Sequence, residues 1–138
     1  MSPAFRIASG SFVLARLDGM DTLCLKAERS GRDYTNHYLI ILEPPADRDA
    51  MRLVYIDPDH DLSVIADKAF AFEPIAAEGP GVGDAFATPQ GPHLKVMDEA
   101  KAQKHFAYVD MQNGLIRPRM ERHAQTVLRW TVTSSLSA

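Results

Sequence analysis

The sequence of 138 residues predicts an all-β protein, a small antiparallel barrel or sandwich with little helix. Short apolar runs alternate with turn-forming residues at roughly ten-residue intervals, a pattern typical of β-barrels and sandwiches. No segment carries an apolar stripe at helical spacing over more than about two turns. The dipeptide Asn113-Gly114 lies between two strand-like segments and is a strong hairpin signal. Together these three observations favour strands joined by tight turns.

In the first half, predicted strands and turns follow one another closely. Residues 22–28 alternate apolar with polar side chains, which predicts a half-buried strand. Residues 34–43 are apolar on both faces and predict the central strand of a sheet, which ends where proline cannot donate to the ladder. Residues 57–61 predict a type I turn with proline at its second position, which joins strands 52–56 and 62–65 into a hairpin. The other predicted strands here are 5–7, 11–17, 52–56 and 62–65, while 66–72 is either a helical turn or a strand.

The second half begins after a segment rich in glycine and proline. This segment, residues 76–83, predicts a linker that would divide the chain into halves 5–75 and 84–133. A single β domain over residues 1–138 is the simpler organisation, because this length suits one hydrophobic core. Predicted strands in the second half cover residues 84–88, 93–97 and 126–133.

The hairpin around Asn113-Gly114 can be predicted in register. A two-residue type I′ turn at this dipeptide pairs Asp110 with Arg117 and Val109 with Pro118. Because alternate residues point to opposite faces, one face is a core face and the other is mixed. The core face is Ala107, Val109, Met111, Ile116 and Pro118, and the mixed face is Phe106, Tyr108, Asp110, Gln112, Leu115, Arg117 and Arg119.

Residues 53–62 and 106–115 share a pattern of apolar residues, tyrosine, aspartate and a short turn. The segments 38–43 and 93–98 precede them at similar distances. One interpretation is an internal repeat, with two related three-strand meanders of SH3-like or sandwich type. The alternative is that any two strand-turn-strand units share such features by chance. Both interpretations predict the same fold class.

Composition excludes several classes of protein. The hydrophobic fraction of 46% and the charged fraction of 24% are those of an ordinary soluble globular protein, and the net charge is −3. The sequence has no leader-like start and no apolar run long enough to cross a membrane, so we expect a cytoplasmic protein. Cys24 is the single cysteine, which rules out an intramolecular disulfide and predicts a buried, unreactive thiol.

Candidate catalytic chemistry is weak. The five histidines lack the spacing of metal-ligand pairs, and Asp57, Asp59 and Asp61 depart from a calcium loop, so neither a metal site nor a cofactor is predicted. His93 and His105 lie at opposite ends of a predicted hairpin, where we expect them to come close, and are the best pair for an acid/base or metal site. They motivate one alternative function, a small metal-dependent or acid/base enzyme with histidines in a barrel mouth.

The leading hypothesis is a non-enzymatic module that binds another macromolecule. Tyrosine and arginine on an exposed sheet face are typical anchors of protein interfaces, which predicts a protein partner or a homo-oligomer formed by strand pairing. Seven basic and four acidic residues between 93 and 130 make nucleic-acid binding a further alternative, which the acidic net charge opposes. The predicted binding residues are Tyr108, Asp110, Arg117, Arg119, Arg122, Tyr55 and Asp57.

Overall fold

A computed structural model describes residues 1–43, 50–98, 105–117 and 126–134. These residues form twelve strands in two six-stranded antiparallel sheets, with one short 3-10 helix, Ala4–Arg6. The predicted all-β class is confirmed, and the arrangement is that of a sandwich without a closed barrel. Within the described ranges, no helix has the length and apolar character needed to cross a membrane.

The first sheet contains the N-terminal strands. They are β1 (Ser2–Pro3), β2 (Phe12–Leu17), β3 (Met20–Ser30), β4 (Thr35–Glu43), β5 (Val54–Ile56) and β6 (Asp61–Val64). Their order across the sheet is β1-β6-β2-β3-β4-β5. The strand predicted to be central is β4, which is paired on both sides, although β2 and β3 occupy the middle of the sheet.

The second sheet contains the remaining strands. They are β7 (Lys68–Ile75), β8 (Ala85–Thr88), β9 (Gly91–Asp98), β10 (His105–Asp110), β11 (Ile116–Arg117) and β12 (Val127–Ser134). Their order is β11-β10-β9-β8-β12-β7. The ambiguous segment 66–72 therefore contributes to a strand, β7. Since β7 already belongs to the second sheet, the chain passes between sheets at residues 65–67, before the segment 76–83.

The two sheets share a strand order. In the first, β2 to β5 form a meander and β6 returns beside β2; in the second, β8 to β11 form a meander and β12 returns beside β8. The two segments that align as a repeat in the sequence, 53–62 and 106–115, do not occupy equivalent places in this shared strand order. Residues 53–62 run from the fourth strand of their set to the fifth, whereas 106–115 run from the third to the fourth. The structure therefore does not support that alignment.

The hairpin predicted from strands 52–56 and 62–65 is wrong. The turn itself forms, since the His60 N–H donates to the Asp57 carbonyl at 3.0 Å. However, β5 pairs with β4, while β6 pairs with β2 and β1 on the other side of the sheet. The turn therefore joins two strands that are not neighbours, because the sheet curls and brings its two sides close together.

The hairpin between β10 and β11 forms, but its predicted register is wrong by two residues. Val109 pairs with Ile116 and Tyr108 with Arg117, so Asp110 does not face Arg117. The Gly114 N–H donates to the Asp110 carbonyl at 2.8 Å, which makes the loop longer than a two-residue turn. A shift of two residues preserves the faces, and Val109 and Ile116 remain in the core.

The two-residue turn occurs elsewhere. Leu17 pairs with Met20 across Asp18 and Gly19, and both turn residues have positive φ, 50° and 79°. Positive φ at both central positions is the requirement of a type I′ hairpin turn, which Asp-Gly meets as well as Asn-Gly does. This turn sets the register of β2 against β3.

Two hydrophobic clusters hold the sheets. The larger lies between the sheets and includes Leu25 and Ile40 from the first and Val96 and Val109 from the second. The smaller lies on the other face of the first sheet and includes Val13, Cys24 and Leu62. As a result β3 is buried on both faces from Thr22 to Ala27, and the prediction of a half-buried strand there is wrong.

Candidate functional site

The predicted histidine pair does not form. Across the ladder of β9 and β10, Asp110 lies opposite His93 and Asp98 lies opposite His105. The length of this ladder, about 17 Å, therefore separates the two histidines. His93 is completely buried and His105 is exposed. The expectation that they converge is wrong. His93 is near the start of β9 and His105 is the start of β10, and antiparallel pairing places these two starts at opposite ends of the ladder.

His93 belongs to the packed outer face of the second sheet. Its Nδ1 lies 3.0 Å from the Gly91 carbonyl and its Nε2 lies 3.8 Å from the Asp110 carboxylate. The ring stacks on Phe86, which is itself buried. Enclosed in this way, His93 offers no surface to a substrate.

The predicted binding residues are dispersed. Asp110 is buried and accepts the N–H groups of Gln112 and Asn113, so it shapes the hairpin loop instead of facing a partner. Tyr108 is half-buried, with its ring edge-to-face on Phe86 at 5.8 Å. Arg117 is half-buried on the neighbouring strand. Arg119 and Arg122 lie outside the described residues.

Tyr55 lies on the first sheet, and Asp57 follows directly after its strand β5. Both are exposed, and the Tyr55 ring meets Tyr38 edge-on at 5.8 Å between centroids. Tyr55 belongs to β5 and Tyr108 to β10, so the two Tyr-Asp patches do not form one continuous surface. Among the residues with described coordinates, no three His, Cys, Asp or Glu side chains are arranged to hold a metal ion.

A buried polar cluster on β3 and β4 is absent from the sequence-based predictions. The Lys26 side chain is completely buried, and its Nζ has three acceptors. These are the Glu28 carboxylate at 2.6 Å, His37 Nδ1 at 2.9 Å and the Ile7 carbonyl at 3.1 Å. An ammonium group has three N–H donors, so every donor of Lys26 is satisfied. Such an ammonium has no lone pair for nucleophilic chemistry.

Burial and the Lys26 cation favour the neutral form of His37. Burial lowers its pKa below the usual 6.5, and the Lys26 cation lowers it further, against the opposing effect of Glu28. A neutral His37 can accept a hydrogen bond from the Lys26 ammonium at Nδ1, whereas a protonated ring cannot. The sequence signal was a lysine and a glutamate two residues apart on one strand face, with a histidine opposite the glutamate in the next strand. That signal depends on strand register, which the sequence alone did not supply.

Glu28 also lines an open surface pocket of about 450 Å³. The pocket lies where the N-terminal segment meets the β10–β11 loop, and Phe5, Ile7 and Leu115 supply its apolar walls. The Glu28 carboxylate is already bound by Lys26, so most of its charge is neutralised locally. The pocket therefore offers a shallow surface of apolar side chains, with the Arg6 side chain at its lining.

The free edge of β7 is the most distinctive surface feature of the described residues. Each sheet has two edges, and, as far as the structure describes the chain, three of the four edge strands are short: β1, β5 and β11 have two, three and two residues, and the description of β11 stops at Arg117. The fourth, β7, has eight. Natural proteins shorten or otherwise protect edge strands because unpaired backbone groups recruit further strands. Among the described strands, β7 pairs only with β12, so its other edge lacks that protection along most of its length.

The direction of the β7 backbone groups follows from its neighbours. The Ala87 N–H donates to the Thr126 carbonyl at 2.8 Å, so Thr126 and, two residues on, Leu128 direct their backbone groups toward β8. The odd-numbered residues of β12 then face β7 and bond to its odd-numbered residues. The backbone groups that point outward from β7 are those of Lys68, Phe70, Phe72 and Pro74.

The side chains of β7 are consistent with a docking edge. Phe72 is 38% exposed, and Ala71, Glu73 and Pro74 are also exposed. Phe70 is half-buried and joins this edge to the core through ring contacts with Phe12 at 4.8 Å and Trp130 at 5.8 Å. Pro74 lacks an N–H in an outward position, where its absence leaves the ladder with β12 intact.

Comparison with known proteins identifies no relative of this chain. No protein-family model, curated protein or solved structure matches this chain.

Proposed function

We propose that this protein is a non-enzymatic protein-binding module whose binding surface is the outer edge of β7. The observation that carries the proposal is the contrast among the edges of the described residues, where β7 has eight residues and the other three edge strands have two or three. A partner segment in extended conformation would add to the sheet as a further strand. Main-chain hydrogen bonds supply affinity in this mode, and side chains on alternate residues supply specificity.

The hairpin surface predicted from the sequence is less suited to this role. Asp110 is buried and Tyr108 is half-buried, so two of its expected anchors have little free surface. The edge of β7 instead offers unpaired donors and acceptors next to an exposed aromatic ring. The buried, unpaired Cys24 supports our further proposal that the module works in the reducing cytoplasm.

The proposal can be tested with displayed peptides. Random peptides long enough to cover β7 are selected on the immobilised full chain, and their affinities are measured for wild type and for Phe72→Pro. Proline at position 72 removes one outward N–H and leaves the ladder to β12 intact. We expect the selected peptides to bind Phe72→Pro at least about tenfold more weakly.

Two controls separate the backbone from the side chain. Phe72→Ala keeps the outward N–H and should lose less affinity than Phe72→Pro. Leu14→Ala alters an exposed apolar residue on β2 and should bind as wild type does. Thermal unfolding by circular dichroism confirms that each variant is folded. Equal binding of the peptides to wild type and to folded Phe72→Pro would overturn the proposal.

A further inference from the structure

We propose that the partner that adds to β7 is a second copy of this chain, paired antiparallel about a two-fold axis at Ala71. This inference rests on the proposed function, because it uses the same edge. When two copies are related by an axis perpendicular to the sheet, side chains on one face of the first copy continue on the same face of the second. Even-numbered residues therefore lie opposite even-numbered residues, and odd-numbered opposite odd-numbered. With the axis at Ala71, Phe70 of each copy lies opposite Phe72 of the other.

The backbone groups match in this register. Phe70 and Phe72 both direct their N–H and C=O groups outward, so each Phe70–Phe72 pair can exchange both of its hydrogen bonds. At the ends, the Lys68 N–H donates to the Pro74 carbonyl of the second copy. The missing N–H of Pro74 leaves the Lys68 carbonyl of each copy to water at the rim of the interface. The self-paired edge therefore satisfies the donors of its outward-facing residues.

The side chains match as well. Opposite pairing of Phe70 and Phe72 covers the exposed Phe72 ring and extends the aromatic row of Phe12, Phe70 and Trp130 across the interface. Aromatic cross-strand pairs stabilise sheets, and like charges placed directly opposite destabilise them. In this register Lys68 faces Pro74 and Glu73 faces Ala69, so no like charges meet. An axis at Phe72 would instead place Phe70 opposite Pro74. The Phe70 carbonyl would then have no N–H donor opposite it.

Sedimentation equilibrium of the full chain tests the dimer. We expect a concentration-dependent mass that reaches twice the chain mass, and a dissociation constant at least about tenfold larger for Phe72→Pro, because the lost N–H occurs once in each copy. Phe72→Ala should weaken the dimer less than Phe72→Pro does. A folded wild-type chain that stays monomeric at high protein concentration would overturn the inference.

Disulfide trapping tests the position of the axis. Ala71 pairs with itself at a non-hydrogen-bonded position, where side chains approach to about 4.5 Å between Cβ atoms and a disulfide can form. Under oxidised glutathione we expect Ala71→Cys to cross-link into a covalent dimer. Glu73→Cys should not, since its two copies lie about 13 Å apart. Wild type controls for Cys24, which is buried with its pKa raised to about 12. Faster cross-linking of Glu73→Cys than of Ala71→Cys would contradict this register.

The results distinguish this inference from the proposed function. A monomeric chain whose selected peptides still depend on the Phe72 N–H would leave strand addition standing and remove self-pairing. A dimer that Phe72→Pro does not weaken, together with peptides insensitive to the same change, would remove both.

Discussion

Lys26 shows how a single buried charge is tolerated in this core. Placing an ammonium group in a sheet interior is costly unless nearby acceptors replace its hydration. Here a carboxylate, an imidazole nitrogen and a backbone carbonyl do so. The Ile7 carbonyl comes from the N-terminal segment, so Lys26 also ties that segment to β3. The arrangement is stable only while His37 keeps a free lone pair at Nδ1.

The lowered pKa of His37 predicts a pH dependence of stability. Between pH 6.5 and the lower pKa of the folded state, the unfolded chain binds a proton that the folded chain does not. The free energy of unfolding should therefore be highest above pH 6.5 and fall as the pH drops below it. Urea unfolding across this range measures the slope.

Two variants isolate the contribution of His37. In His37→Asn, the amide oxygen can accept a hydrogen bond from Lys26 but does not titrate. The part of the pH dependence of the unfolding free energy that is due to His37 should therefore disappear. His105→Gln removes an exposed histidine and should keep the wild-type slope. An unchanged slope in folded His37→Asn would show that other groups cause the pH dependence.

At the scale of elements, the β10–β11 hairpin is positioned by its contact with the N-terminal loop. Gly114, with φ of 71°, packs against the backbone of Gly10 and Lys26, and its carbonyl accepts the Glu28 N–H at 3.0 Å. A Cβ atom at position 114 would overlap the Gly10 nitrogen. This close approach joins the two sheets beside the surface pocket.

Alanine at two glycines separates steric overlap from backbone strain. Gly19 has a similar φ of 79° but no atom within 4 Å of a built Cβ, so Gly19→Ala should cost only the left-handed conformation, roughly 1 kcal/mol. Gly114→Ala adds the overlap and should destabilise by more than about 2 kcal/mol. Chemical denaturation measures both. Equal costs would mean that the loop moves away without loss.

At the scale of the whole molecule, the two sheets share the larger hydrophobic cluster. Leu25 and Ile40 pack in it together with Val96 and Trp130, so neither sheet covers its inner face alone. Arg29 of the first sheet also binds Asp98 of the second at 2.8 Å, across the interface between them. These contacts favour cooperative unfolding of the two sheets.

Two unique side chains allow that cooperativity to be measured. Trp130, the single tryptophan, reports on the second sheet through its fluorescence, and Cys24, the single cysteine, reports on the first through its reactivity. We expect both signals to change at the same urea concentration, as in a two-state transition. Alkylation of Cys24 at clearly lower urea than the fluorescence change would indicate that the two sheets unfold separately.

Local chemistry in the sequence determined the fold class and many of the strands. Alternating apolar residues and turn dipeptides act over a few positions, so they predicted the strands at 93–97 and 126–133 and the core face of the β10–β11 hairpin. The free, buried Cys24 was likewise evident from its apolar surroundings.

Only the tertiary structure decided which strands are neighbours and which polar groups are buried. The carboxylate of Asp110 stabilised a longer loop than Asn113-Gly114 predicts, and curling of the first sheet separated β5 from β6 in the pairing order. Lys26 became a core residue because the second sheet and the N-terminal segment cover both faces of β3. The contacts that cover β3 and those that curl the first sheet join residues far apart in the chain, and no local pattern encodes them.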